Sequence, residues 1–290
     1  MSHWKLGIVG GSGLYDLPGL ENVRKQAVET PWGAPSGELT QGTLNGVELV
    51  FLPRHGPGHV IPPNEINFRA NIAALKMAGC TDILSVSACG SLKQELPPGR
   101  FVVVDQYIDR TKSRVNSFFE TGCVAHVSMA DPVCARLAGL AAEASEAAGA
   151  PVTRGGTYLA MEGPQFSSRA ESALYRSWGC DVIGMTNMPE ARLAREAELP
   201  YAAIAMVTDY DSWHETEAAV DVPAVLQVMA QNSHLARKTI ARLAEIVSDR
   251  ERTSSPQGIE TGLDTAIITP SASRDPHVVK RLKAIAGRIL

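Results

Sequence analysis

Cysteine is scarce, with five residues in 290 (Cys80, Cys89, Cys123, Cys134 and Cys180). The number is odd and no Cys-x-x-Cys spacing occurs, which speaks against a disulfide framework and a structural zinc site. Clustered basic residues are also missing, and the formal net charge is −4. Nucleic acid is therefore excluded as the main partner, since neutralising its backbone takes grouped Lys and Arg. Any phosphate recognised here is small and bound locally. No apolar run approaches the roughly 20 residues a membrane-spanning helix needs. The chain enters a strand-like run at Lys5-Leu6-Gly7-Ile8-Val9 without the ordered regions of a signal peptide. These absences predict a cytoplasmic protein with no membrane partner. No internal repeat is visible, and 290 residues suffice for one large core.

What is present is an alternation of short apolar runs and helical patterns. Strands are expected at 47–52, 82–87, 101–107, 156–161, 180–185 and 202–207. Helices are expected over 66–77, with Asn64 as cap, over 137–148, and over 223–248 with Pro223 in the first turn. The long helix places Val225, Met229, Ala236, Ile240 and Leu243 on one face. Arg250 to Gly262 reads as a linker or mobile loop, and 276–290 as a terminal helix. Strands separated by helices predict an α/β fold in one domain, 1–290, with a central, mostly parallel sheet flanked by helices.

The most informative feature is Ala202-Ala203-Ile204-Ala205-Met206-Val207-Thr208-Asp209-Tyr210-Asp211. A buried strand ends in two carboxylates. Ligands of parallel sheets bind beyond the carboxyl ends of strands. Residues two apart share a strand face, so Asp209 and Asp211 can address one ligand. Partial burial beside a second carboxyl raises a pKa toward the range useful for proton donation. On the spacing alone, one Asp capping the next helix with the other solvated is the favoured explanation.

Five further motifs sit at strand ends. Gly7-Ile8-Val9-Gly10-Gly11-Ser12-Gly13 can form an anion nest with a hydroxyl from Ser12. It fails the dinucleotide fingerprint and lacks the Lys of a P-loop. Arg54-His55-Gly56-Pro57-Gly58-His59 offers a planar donor fork suited to phosphate. Ser85-Val86-Ser87-Ala88-Cys89-Gly90-Ser91 gathers hydroxyls and backbone N–H groups, with Cys89 read as a small buried hydrophobe. Met161 to Glu171 supplies Phe166 as a platform for a flat ring, and Ser167 and Ser168 to start a helix. Ile183 to Glu190 is one more strand end with a polar exit. Each has a bland alternative as a turn or cap. Together, on one rim, they make an anion pocket, an aromatic platform and a proton donor.

These residues resemble the methylthioadenosine phosphorylases, within the trimeric purine nucleoside phosphorylase superfamily. The resemblance rests on the Gly-Ile-Val-Gly-Gly-Ser-Gly and Arg54-His55-Gly56 segments, and on Ala88-Cys89-Gly90-Ser91-Leu92. It continues through Asp105 to Thr111, Glu162 to Ser172, Met185-Thr186 and Asp209 to Glu215. In order and spacing it covers about three quarters of the chain. The stretch after about Ser248 departs from the pattern.

The resemblance implies phosphorolysis of 5′-methylthioadenosine to adenine and 5-methylthioribose 1-phosphate. Asp209 would protonate N7 of the leaving base, Asp211 would hold the 6-amino edge and Ser167 would lie near N1. Phosphate would be held by Ser12, Arg54, His55, Ser87, the Ala88 backbone and Thr186. Met185 would face the ribose and Phe166 the base. His59, Val222 and Val225 would line the 5′ pocket, with His126 reaching in from a neighbouring subunit of a homotrimer whose sites lie near its interfaces. No metal or organic cofactor is implied; inorganic phosphate is a co-substrate.

Relatives acting on 6-oxopurines carry Asn in place of Asp209 and Glu in place of Ser167, and those preferring a 5′-hydroxyl carry His in place of Val222. An apolar wall cannot satisfy a hydroxyl and accepts a methylthio group. Ser12 and Ser87 replace a more familiar Thr, Gln165 replaces Arg and Gly184 replaces Asn. A 6-oxopurine phosphorylase, a water-using nucleosidase and a non-catalytic nucleotide-binding module are the rival expectations.

Overall fold

The computed structural model describes residues 3–11, 14, 16–214 and 222–290, with the side chains of 222–225 excepted. Its strands are β1 (Lys5–Gly10), β2 (Glu21–Gln26), β3 (Leu39–Leu44), β4 (Val47–Pro53), β5 (Asp82–Ser91) and β6 (Phe101–Val104). They continue as β7 (Gln106–Asp109), β8 (Val152–Arg154), β9 (Thr157–Ala160), β10 (Val182–Gly184) and β11 (Tyr201–Tyr210). The helices are α1 (Phe68–Met77), α2 (Ala135–Ala147), α3 (Arg169–Ser177), α4 (Asn187–Glu196), α5 (Val222–Ser248) and α6 (Pro276–Ala286). The strands form one mixed, mostly parallel sheet in the order β2-β3-β4-β1-β5-β10-β9-β7, with β11 on the other edge of β5, followed by β6 and β8.

Strand alternation sorts the core. Along β11, Tyr201, Ala203, Ala205 and Val207 pack on one face, with Ile72 of α1, Leu193 of α4 and Leu282 of α6. Ala202, Ile204 and Met206 pack on the other, with Leu137 of α2 and Ile240 of α5. Such double-sided burial is what makes the central strands read as unbroken apolar runs.

Most expected elements shift by a few residues at their ends, and three expectations change in kind. The helix over 66–77 begins at Phe68, and its cap is Asn67, whose side chain accepts from the Ala70 N–H, rather than Asn64. The run 101–107 breaks into two strands, because β6 pairs with β11 and β8 whereas β7 pairs with β9. Arg250 to Gly262 carries the composition of a linker, yet it is tied down by charge. Arg252 Nε donates to the buried Asp82 Oδ2 at 2.5 Å, and Arg252 Nη2 to Glu260 Oε1 at 3.0 Å. Trp4 Nε1 donates to the Arg250 carbonyl at 2.8 Å.

Candidate active site

The site begins with a fork in the sheet. One edge of β5 pairs with β1 only as far as Ser85, opposite Val9. The same edge meets β10 again at Gly90 and Ser91. Between these points Val86, Ser87, Ala88 and Cys89 border a cavity of about 290 Å³. Divergence of neighbouring strands beyond their carboxyl ends is where open α/β sheets bind ligands. Residues of β10, β11 and α5, and of the segments that follow β1, β4 and β9, complete the wall.

One end suits an anion. Arg54, just past β4, is 2 % exposed and lines the cavity. Its Nε and Nη2 donate to Glu190 Oε2 and Oε1 at 2.9 and 3.0 Å, and Nη2 also reaches Ser85 Oγ at 2.6 Å. The His55 ring is 2.9 Å from the Ile61 carbonyl through Nδ1. A carbonyl only accepts, so Nδ1 carries the hydrogen and Nε2 of a neutral ring is left as acceptor. Burial, then the Arg54 charge, lowers this imidazole's pKa to about 4, so it is neutral at pH 7. His59 stacks on it at 4.1 Å between ring centres. Ser87 Oγ donates to Asn187 Oδ1 at 3.1 Å. Thr186 is the N-cap of α4, and its hydroxyl makes no capping bond.

The other end is acidic. β11 carries a bulge between Val207, opposite Cys89, and Asp209, opposite Gly90. Without it, Thr208 and Asp209 would point to opposite faces. With it, Met206, Thr208, Asp209 and Asp211 all border the cavity. The Thr208 hydroxyl donates to Asp209 Oδ2 at 2.7 Å and orients that carboxyl. Gly90 makes room, because a Cβ there would come within 3.1 Å of Asp209 Oδ1. Asp211 is buried, which pushes its carboxyl above the usual range against the Ser172 hydroxyl, the Ser212 N–H and the Ser167 hydroxyl. Its Oδ2 is fully buried and has no hydrogen-bond partner.

Between the ends lie Met161, Ile183, Gly184 and Met185, with Phe166 half-exposed at the rim. Ser168 caps α3 in a reciprocal box with Glu171. This fixes the neighbouring Ser167, whose carbonyl accepts from the Ser212 hydroxyl at 2.7 Å.

The fork therefore gathers Arg54, His55, His59, Ser87, Ala88, Phe166, Met185, Thr186, Asp209 and Asp211 around one cavity. Ser167 is buried beside Asp211 rather than in the wall. His126 is exposed away from the cavity, its N–H donating to the Ala266 carbonyl at 2.9 Å. Ser12 and the Val222 and Val225 side chains lie outside the described residues. Sequence reading missed Met229, Ser233 and Arg237, one face of α5 that borders the cavity. Their spacing of four was the available signal, but Met229 was absorbed into the apolar face. Glu190 gave no signal, since its partner is 136 positions away.

The profile of the Phosphorylase superfamily matches residues 5–245. The chain is similar to S-methyl-5′-thioadenosine phosphorylase of Cereibacter sphaeroides, 55% identical over 285 residues and covering 98% of each chain. It is likewise 55% identical over 285 residues to the enzyme of that name from Rhodospirillum rubrum, covering 98% of this chain and 97% of that one. A crystal structure of methylthioadenosine phosphorylase from an antarctic soil metagenomic library superimposes with a TM-score of 0.91 at 45% identity, covering 98% and 99% of the two chains. Methylthioadenosine phosphorylase from Schistosoma mansoni in complex with adenine gives a TM-score of 0.85 at 36% identity, covering 91% and 99%.

Proposed function

The chain belongs to the phosphorylase superfamily, and from that membership we propose that it cleaves 5′-methylthioadenosine with inorganic phosphate. The products are adenine and 5-methylthioribose 1-phosphate, which makes the protein a pentosyltransferase of purine and methionine salvage. The observation that carries this reading is one cavity with Arg54, His55, Ser87 and Thr186 at one end and two aspartates at the other.

A phosphate oxygen attacks C1′ as the C1′–N9 bond breaks. The departing purine gains negative charge, and protonation at N7 by Asp209 removes it. Asp211 Oδ2, a buried acceptor without a donor, suits the N–H of a 6-amino group. Arg54, the Ala88 N–H, Ser87, Thr186 and Ser12 hold phosphate, and neutral His55 accepts from a protonated phosphate oxygen. Phe166 covers the base with Ser167 near N1, and Met185 faces the ribose. His59, Val222 and Val225 form the 5′ pocket.

We read residues 1–290 as one phosphorylase domain and the assembly as a cytoplasmic homotrimer in which a neighbour's His126 completes the 5′ pocket. Exposed apolar side chains of Val124 and Ile268, joined by the Ile268 N–H to the Val124 carbonyl at 3.0 Å, flank His126 and support this. No metal or organic cofactor takes part in this scheme. The test is release of free base from methylthioadenosine, adenosine, methylthioinosine and inosine, with and without phosphate. Phosphate-dependent cleavage, best on methylthioadenosine, is expected. Preference for a 6-oxopurine overturns the base assignment, and turnover without phosphate makes the protein a nucleosidase.

A further inference from the structure

β9 and β10 run side by side from Tyr158 and Val182 to Ala160 and Gly184. The last ladder bond is from the Met161 N–H to the Gly184 carbonyl, at 2.9 Å. Beyond it the two chains become opposite walls of the cavity. Met161 leads to Phe166 on one side, and Met185 leads to Thr186 on the other. Their backbone carbonyls there have no strand to pair with.

Arg114, in the irregular stretch after β7, takes over where the ladder stops. Its side chain is 2 % exposed and does not border the cavity. Nη1 donates to the Met185 and Met188 carbonyls at 2.5 and 2.7 Å. Nη2 donates to the Glu162 carbonyl at 2.6 Å and reaches the Met161 carbonyl at 3.4 Å. Nε donates to Glu162 Oε1 at 3.1 Å. Glu162 closes the loop by accepting through Oε2 from the backbone N–H groups of Lys112 and Ser113. The Phe68 ring backs the guanidinium at 5.3 Å.

We propose that Arg114 is a positioning residue that sets the distance between the nucleoside-bearing and phosphate-bearing walls of the cavity. This rests on the phosphorolysis reading and names a residue that touches neither substrate in it. The planar guanidinium can serve two walls at once because its five N–H groups diverge in one rigid fork. A Lys ammonium is a compact point charge that reaches fewer carbonyls. Losing the fork leaves buried carbonyls without donors and uncouples the walls.

The experiment compares Arg114→Met and Arg114→Lys with wild type, reading kcat, both KM values and the melting shifts given by adenine and by phosphate. In Arg114→Met, kcat/KM falls about 10- to 100-fold, with kcat reduced and both KM values raised together. Both ligand-induced melting shifts shrink, and Arg114→Lys recovers part of each loss. A folded Arg114→Met with constants and ligand shifts within twofold of wild type overturns the proposal, even if its melting temperature drops. Should Arg114→Met not fold, Arg114→Lys decides by the same criteria. If wild type releases no base yet melts higher with adenine and with phosphate, the reaction reading fails. The melting shifts still decide on Arg114.

Discussion

Arg54 and Glu190 meet in a buried bidentate ion pair, with side chains 2 % and 0 % exposed. The Tyr201 hydroxyl donates to Glu190 Oε1 at 2.9 Å, and Ser85 accepts from Arg54 Nη2. The guanidinium is thus neutralised and aimed before any anion arrives. On the phosphorolysis reading, phosphate held there would gain hydrogen bonds and fixed orientation more than the attraction of a bare cation.

Replacing Glu190 by Gln leaves a buried guanidinium without its counter-charge. Breaking one side of a buried pair costs about 3–5 kcal/mol. Chemical denaturation of Glu190→Gln is expected to show a loss of that order, together with a raised KM for phosphate. An unchanged midpoint would mean that water or a neighbouring group compensates the charge.

Two buried groups give opposite pH dependences over overlapping windows. Burial raises the Glu196 carboxyl from 4.5 to about 7, against the Phe118 N–H and Ser117 hydroxyl that it accepts from. Between those values the folded state holds a proton that the unfolded chain has lost, so stability falls as pH rises. His55 is lowered from 6.5 to about 4, so its contribution rises with pH between those values. At about 1.4 kcal/mol per unit, each effect is on the order of 3 kcal/mol. Relative to wild type, Glu196→Gln should gain stability between pH 4.5 and 7. His55→Gln should lose it between pH 4 and 6.5. Urea melts across this range decide both signs.

Asp209→Asn keeps the shape of the acid and removes its proton. A positioned general acid contributes roughly 10²- to 10⁴-fold. The expected loss on methylthioadenosine falls in kcat, with the KM for phosphate little changed. Near-normal turnover would take Asp209 out of the mechanism.

Gly184→Ala tests the packing beneath the site. A Cβ at 184 would lie 1.9 Å from the Tyr158 hydroxyl and 2.7 Å from its ring carbon Cζ. Overpacking of this kind costs about 1–3 kcal/mol. Tyr158→Phe removes the oxygen but not the ring, so it should recover only part of the lost melting temperature. Full recovery would show that the hydroxyl alone fills the space.

What the sequence discloses follows from burial. β1, β4, β5 and β11 read as strands because both faces are covered, which turns them into apolar runs. β2 is exposed at all six positions, and Glu21 to Gln26 carries no hydrophobic pattern to read. The strand-end motifs were legible because glycine, serine and arginine at such places are chemically expressive. Convergence of Arg54 with Glu190 and the donors of Arg114 depend on long-range packing that no local spacing encodes. The bulge at Thr208 is a further case. Strict alternation does place Asp209 with Asp211, but it sets Met206 and Thr208 on the opposite face.

The fork at β5 divides labour among the strands that meet there. The anion end is built from the segments that follow β4 and β10, and the base end from β11 and the segment that follows β9, with β5 as their shared seam. On the phosphorolysis reading, changes at positions such as 167 or 209 would therefore retune which base departs without disturbing the groups that hold the attacking phosphate. On such a scaffold the departing base can be exchanged while the groups that hold the anion stay in place.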